Sequence, residues 1–124
     1  MSRFLVAQDC PFCDIIHGRG PATVVRRWDD AIAIVPLRPV TYGHLLVIPT
    51  MHVPDALADP TVTAATMRRA AEVARERRLA ALNIITSVGA AATQTVPHLH
   101  AHIVPRVEGD GLALPWPHPV SRSR

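Results

Sequence analysis

Three of the chain's seven histidines stand at alternate positions in the stretch Gln94-Thr95-Val96-Pro97-His98-Leu99-His100-Ala101-His102-Ile103-Val104-Pro105-Arg106. Successive side chains of a β-strand point to opposite faces, so His98, His100 and His102 are expected on one face, roughly 7 Å apart for each step of two. Leu99, Ala101 and Ile103 then fill the opposite face, against a core. A lone histidine on a strand is mostly a satisfied polar group, whereas three at a strict repeat point to a site. The residue type offers two kinds of chemistry, metal ligation or nucleophilic attack, each by a neutral ring available near pH 7.

The only two cysteines form a second reactive cluster, Cys10-Pro11-Phe12-Cys13. In a reducing compartment this spacing is either a redox pair or half of a metal site. A redox pair would want a thioredoxin-like βαβ pattern after it, which the following residues do not supply. Half of a zinc site needs two further ligands, most simply histidines.

The elements that must position these groups follow from pattern. Residues 10–18 read as a knuckle followed by one or two helical turns, stopped at Gly18. Residues 22–28 are β-prone, Asp29-Asp30 marks a tight turn, and residues 31–35 form a second strand, giving a hairpin. A loop with two prolines runs from Pro36 to Gly43, and residues 44–49 form a third, mostly buried strand. Asp59-Pro60 opens the one clear long helix, with Asp as N-cap and Pro at the first helical position. Met67, Ala70 and Ala74 supply its apolar stripe and Arg68–Glu72 a charge pair; its end is expected near residues 79–82. Residues 83–87 read as a fourth strand, residues 89–93 as a loop of small residues, and the histidine stretch as the fifth strand. Residues 107–124 form a Pro-rich tail in which Trp116 is expected to pack on something. The class implied is α+β: a meander with a mostly antiparallel sheet of about five strands, one long helix and a short N-terminal helix.

Composition limits the function. A chain of 124 residues that is 48% apolar suits one globular domain, 1–124, with its core over about 10–106. No apolar run approaches the length of a membrane span, and Met1–Ala7 is far too short for a secretory signal, so the expected compartment is the cytoplasm. All 13 basic residues are Arg, spread along the chain without interleaved aromatics. That pattern argues against a nucleic-acid surface; the Arg75–Arg78 cluster reads as a solvated helix face.

Taken together, these motifs resemble the histidine triad (HIT) family, whose signature is His-x-His-x-His followed by two apolar residues. Here it is His98-Leu99-His100-Ala101-His102-Ile103-Val104. Gln94-Thr95-Val96 precedes it, and Gly43-His44-Leu45-Leu46-Val47-Ile48-Pro49 and Cys10-Pro11-Phe12-Cys13 lie upstream in the family's order. The zinc-containing branch, with its nucleotide phosphoramidate and dinucleoside polyphosphate hydrolases, is the nearest in pattern. The resemblance implies an enzyme acting on the α-phosphorus of a small-molecule nucleotide through a covalent nucleotidyl-histidine. It makes His100 the nucleophile, His102 a ligand of the phosphate and leaving group, and Thr95 a hydroxyl beside them. It places Gln94 at a phosphate-loop position. It further implies a structural Zn²⁺ held by Cys10, Cys13, His52 and His98, with His44 as the competitor for His52. His17 and His118 are expected at the surface. Three positions depart from the family pattern: Pro36-Leu37 replaces a ribose-binding acidic or Asn residue, Ser87 replaces Asn or Gln, and Ala92-Thr93 replaces a glycine pair. All three bear on nucleotide binding rather than on the nucleophile. Homodimers are common in the family. The alternative reading is a nucleotide-binding module of the same fold with little or no turnover.

Overall fold

The computed structural model describes residues 9–117. Asp29 and Asp30 turn Val24–Arg27 (β1) back against Ala31–Ile34 (β2), the first of four antiparallel pairings. Leu45–Pro49 (β3) lies beside β2, with Ala33 opposite Val47. Ala101–Pro105 (β5) pairs with β3 on one side and with Leu82–Ile85 (β4) on the other. The sheet order is therefore β1-β2-β3-β5-β4, which puts β3 and β5 inside and leaves β4 as an edge.

Alternation along the inner strands gives the sheet two different faces. Ala31, Ala33, Leu45, Val47, Ala101 and Ile103 form one apolar surface, covered by Ala70, Val73 and Ala74 of the long helix. Alanines on both sides of this contact let the helix lie close to the strands, and burying each branched side chain contributes about 1.5–3 kcal/mol. Ile32, Ile34, Leu46 and Ile48 form the other surface, covered by Cys10, Phe12 and Cys13. His102 sits opposite Leu46 and belongs to this second face. The first helix, Pro11–Ile16 (α1), and the histidines thus share one side of the sheet, and the long helix has the other to itself.

The long helix, Pro60–Glu76 (α2), begins as its sequence dictates: the Asp59 carboxylate accepts from the backbone N–H of Thr61 (3.0 Å) and Val62 (3.4 Å). Its end differs from the expectation near residues 79–82. Arg77 caps it and Arg78 takes a left-handed φ of 56°, closing the helix without a glycine. Leu79 is thereby released to pack under the sheet with Leu82. The Arg69 guanidinium bonds the Asp30 carboxylate at 2.8 Å, tying the helix to the β1–β2 turn.

The fifth strand is shorter than the alternating pattern suggested. Only His102 of the three histidines lies within β5; His98 sits in a bend that precedes it and His100 just before its start. The cause is a tight turn centred on Pro97, in which the His98 N–H donates to the Val96 carbonyl (2.8 Å). Leu99, Ala101 and Ile103 still fall in the core as expected. Beyond β5, Arg106 makes a bidentate pair with Asp110 (2.8 and 3.0 Å) and reaches Asn83 on β4 (2.7 Å), folding the tail back along the sheet edge. Trp116 lines a 430 Å³ cavity there but stays 60% exposed, less covered than a packed tail requires. Residues 1–8 and His118 lie outside the described residues.

The N-cap yields a direct prediction. Asp59→Ala removes the side-chain acceptor for two helix N–H groups and is expected to cost about 1 kcal/mol of stability. Chemical denaturation of the two proteins measures it, and an unchanged midpoint would show that the cap contributes nothing.

Candidate active site and metal centre

Cys10, its own backbone extended, caps α1, its Sγ accepting from the Cys13 N–H at 3.3 Å. Pro11 at the first helical position fixes the turn, so both sulfurs point the same way, toward the histidine bend. His98 Nδ1 lies 3.3 Å from Cys10 Sγ and 3.6 Å from Cys13 Sγ. His52, delivered by the segment after β3, places Nδ1 at 3.2 Å from Cys13 Sγ and 3.0 Å from His98 Nδ1. All four ligand atoms fall within 4.8 Å of one another.

This Cys₂His₂ cluster is able to bind a metal. A tetrahedral Zn²⁺ with bonds of about 2.3 Å to sulfur and about 2.0 Å to nitrogen spaces its ligands roughly 3.3–3.8 Å apart, close to the separations found. The protonation states agree. A carbonyl only accepts, so the contact of His98 Nε2 with the Pro49 carbonyl (2.9 Å) puts the ring proton on Nε2 and turns the Nδ1 lone pair into the cluster. Burial holds the His98 imidazole down at about 4, hence neutral at pH 7. Burial and the neighbouring Cys10 thiol push Cys13 up to about 12, so its thiolate forms readily only when a cation is set beside it. His44 is no part of the cluster: its ring bonds His102 instead. His17 is exposed and contacts the Cys13 carbonyl.

The remaining two triad members have different surroundings. His100 Nδ1 is 2.8 Å from the His98 carbonyl, which again fixes the tautomer: Nδ1–H donates and the Nε2 lone pair stays available. The His100 carbonyl accepts from the Thr86 hydroxyl (2.8 Å), holding the backbone on the other side. The Phe12 ring packs edge-on against both His98 and His100, with centroids 5.9 and 5.0 Å away. His102 lies beside His100 with ring centroids 5.2 Å apart, and its Nδ1 meets His44 Nε2 at 3.0 Å. Burial lowers His44 and His100 as well, and holds His102 down at about 4. The whole row is therefore uncharged at neutral pH.

The residues expected around the substrate are distributed as follows. The Gln94 side chain binds backbone, accepting from Gly89 N–H (2.9 Å) and donating to the Val96 carbonyl (3.0 Å) in its own loop and to the Pro54 carbonyl (2.7 Å) in the segment after β3. Thr93 adopts a left-handed φ of 69°, the conformation a glycine takes without strain, and its hydroxyl turns back to the Ala92 carbonyl. Residues 90–92 between them form a single 3₁₀ turn. Thr95 is exposed and Ser87 half-buried just after β4. Leu37 is 96% exposed in the loop after β2. Sequence reasoning did not single out Phe12, which the structure places against two histidines, nor the bond between His44 and His102. The position of Phe12 inside the Cys-x-x-Cys knuckle was the available signal for the first.

Comparison with known proteins agrees with this architecture. The HIT domain family matches residues 17–109, and the chain belongs to that family. The cysteine knuckle lies upstream of the matched segment. Adenylylsulfatase HINT3 of Arabidopsis thaliana is 34% identical over 109 residues, covering 84% of this chain and 55% of that protein. A Zn-bound histidine triad family protein from Mycobacterium smegmatis superimposes with a TM-score of 0.75 at 38% identity, over 86% of this chain and 81% of that one. A HIT family hydrolase from Clostridium thermocellum also gives a TM-score of 0.75, at 30% identity, over 86% of this chain and 98% of that one.

Two predictions come from this geometry. Cys13→Ser is expected to lower bound zinc well below one equivalent and to reduce Tm, since a structural metal contributes directly to folding. Elemental analysis with thermal melts checks it, and equal zinc in both proteins would refute the site. The second concerns pH. His98 and His102 titrate near 4 in the folded chain, against an ordinary value of about 6.5. Between these values the unfolded chain binds protons that the folded one refuses, so stability is present above about 6.5 and is lost as pH falls toward 4. Protonation of metal ligands acts in the same direction. Denaturant midpoints at pH 7.0, 5.5 and 4.5 should fall in that order.

Proposed function

We propose that the protein is a nucleotidyl hydrolase or transferase that attacks the α-phosphorus of a nucleotide phosphoramidate, dinucleoside polyphosphate or acyl-adenylate. One observation carries the reading: His100 commits its only proton to the His98 carbonyl and keeps its Nε2 lone pair, with His102 at its side. In the first step Nε2 forms a bond to phosphorus as the bond to the leaving group breaks, the departing atom taking up a proton from solvent. The ring becomes a phosphoryl-imidazolium, and its Nδ1–H bond to the His98 carbonyl strengthens as positive charge develops. In the second step a water oxygen attacks phosphorus and gives up a proton to solvent, the N–P bond breaks, and the electron pair returns to Nε2. Splitting one displacement into two in this way is the benefit of a covalent intermediate.

In this reading His102 binds the phosphate and leaving group, and the Thr95 hydroxyl lies beside them. Ser87, Thr93 and Leu37 belong to the nucleotide side. Gln94 acts through the loop whose shape its amide maintains. Cys10, Cys13, His52 and His98 would hold a structural zinc, which would fix the backbone carbonyl that His100 donates to. The adenylylsulfatase activity named for the Arabidopsis relative and the hydrolase named for the Clostridium structure are consistent with this chemistry. No helix among the described residues is long and apolar enough to cross a membrane. Thiols kept for a metal suit a reducing compartment, and the reading accordingly includes a cytoplasmic protein acting on a small-molecule nucleotide, as a homodimer.

The test is AMP release from adenosine 5′-phosphoramidate. Wild type is expected to turn over, and His100→Ala to lose activity by about a thousandfold or more while keeping its fold and zinc. Quenching in alkaline denaturant during turnover, which spares the acid-labile N–P bond, should trap a nucleotidyl adduct that the variant lacks. Tight AMP binding by wild type without any turnover would favour the non-catalytic module instead.

A further inference from the structure

We infer that His44 is a positioning residue that holds His102 in one neutral tautomer, with its proton on Nε2, so that His102 meets the substrate as a hydrogen-bond donor and not as an acid. The inference rests on the proposed attack by His100.

The chain of reasoning runs through atoms whose roles cannot change. The backbone N–H of Val40 donates to His44 Nδ1 at 3.0 Å, and a peptide N–H is a donor only. His44 Nδ1 is therefore a lone pair, and the neutral ring carries its proton on Nε2. That proton faces His102 Nδ1 at 3.0 Å, so His102 Nδ1 is an acceptor. The proton of neutral His102 is then on Nε2. The reverse arrangement, His102 Nδ1–H donating to His44, would leave His44 an imidazolate, which neutral water does not permit. A doubly protonated His102 would put two N–H groups head to head in the same 3.0 Å gap.

His44 is itself held against reorientation. It is 96% buried just before β3, and its own N–H donates to the Thr41 carbonyl (3.2 Å). The Thr41 hydroxyl donates to the Pro105 carbonyl of β5 (3.2 Å), which fastens the loop to the strand carrying His102. Gly43 supplies the positive φ of 87° that lets the chain fold Val40 back over the ring. A ring flip of His44 would put Cδ2, which has no lone pair, where Nδ1 now accepts from the Val40 N–H, and would leave that N–H without its acceptor. The loop, the ring and the strand thus form one unit whose only exposed consequence is the N–H on His102.

The functional meaning is a division between the two histidines nearest the substrate. His100 offers a lone pair, because a carbonyl takes its proton. His102 offers a proton it does not release, because His44 occupies its lone pair. Such a donor suits the oxygens of a phosphoryl group, where charge accumulates in the transition state.

Long-range proton–nitrogen NMR of ¹⁵N-labelled, zinc-loaded protein at pH 7 reads the tautomer directly. In wild type, His102 should show a protonated Nε2 and a bare Nδ1. His44→Leu fills the space without a donor; it is expected to move both His102 nitrogens toward averaged values and to lower kcat tenfold or more at unchanged zinc content. His44→Gln, whose amide N–H reaches the same place, should recover most of both. A wild-type His102 protonated on Nδ1, or on both nitrogens, would overturn the inference, as would an unaltered His102 tautomer in His44→Leu. If His44→Leu does not fold, the wild-type spectrum and the Gln variant decide. A wild type with the expected tautomer but no phosphoramidate turnover would sink the proposed reaction and leave this wiring standing.

Discussion

The buried imidazole of His98 is the element on which both the metal-binding cluster and His100, the proposed nucleophile, depend. It is completely buried, and every polar atom it carries has a partner. Nε2–H bonds the Pro49 carbonyl at the end of β3, Nδ1 faces the two cysteines and His52, and the backbone carbonyl receives the proton of His100. Leaving any one of these groups unpaired in the interior costs about 1–3 kcal/mol, so the arrangement persists only as a whole. Through it, the position of α1 on the sheet is coupled to the tautomer of a residue two positions along the chain. A metal in the cluster would act on chemistry it never touches, by holding still the carbonyl that His100 donates to.

The sheet makes this possible by having two unlike faces. On the α2 side the buried cluster is aliphatic, made of alanine, valine, leucine and isoleucine. On the other side Phe12, Ile32, Ile34, Leu46 and Ile48 form an apolar floor beside which the polar rings stand. That floor lowers the protonation of the histidines, because a charged ring is poorly solvated there. A solvated row of three imidazoles would be partly cationic near pH 6.5 and would repel itself. Here desolvation removes the charge and hydrogen bonds assign the protons.

Much of this was legible in the residues because the signals were local. Asp59-Pro60 announces the start of α2, Gly18 the end of α1 (φ 76°), and the alternation Leu99, Ala101, Ile103 the buried side of β5. What misled was equally physical. Alternating histidines look like strand, but Pro97 turns the chain so that His98 leaves the ladder and enters the metal cluster instead. Helical spacing continues past Glu76, yet Arg78 accepts a left-handed φ that propensity assigns to glycine or asparagine. The resemblance gave Gln94 only a phosphate-loop position; its bond to the Pro54 carbonyl, forty residues away in sequence, no local pattern encodes. The choice between His44 and His52 depends on contacts 46 or 58 residues away in sequence, which no local pattern encodes.

Of the four neutral rings three keep the proton on Nε2 and only His100 keeps it on Nδ1, and in each case a backbone group decides. The Pro49 carbonyl places the proton of His98 on Nε2, and the His98 carbonyl places that of His100 on Nδ1. The Val40 N–H excludes a proton from His44 Nδ1, which through one further bond sets His102. Backbone amides neither titrate nor change role over the physiological range, so their assignments hold until burial gives way. Side-chain partners such as a carboxylate would have been weaker arbiters, since a negative charge stabilises the doubly protonated ring and blurs the tautomer. The described hydrogen bonds of these four rings include no carboxylate partner. A histidine row ordered by amides yields one lone pair and one donor side by side, and that asymmetry is what a displacement at phosphorus requires.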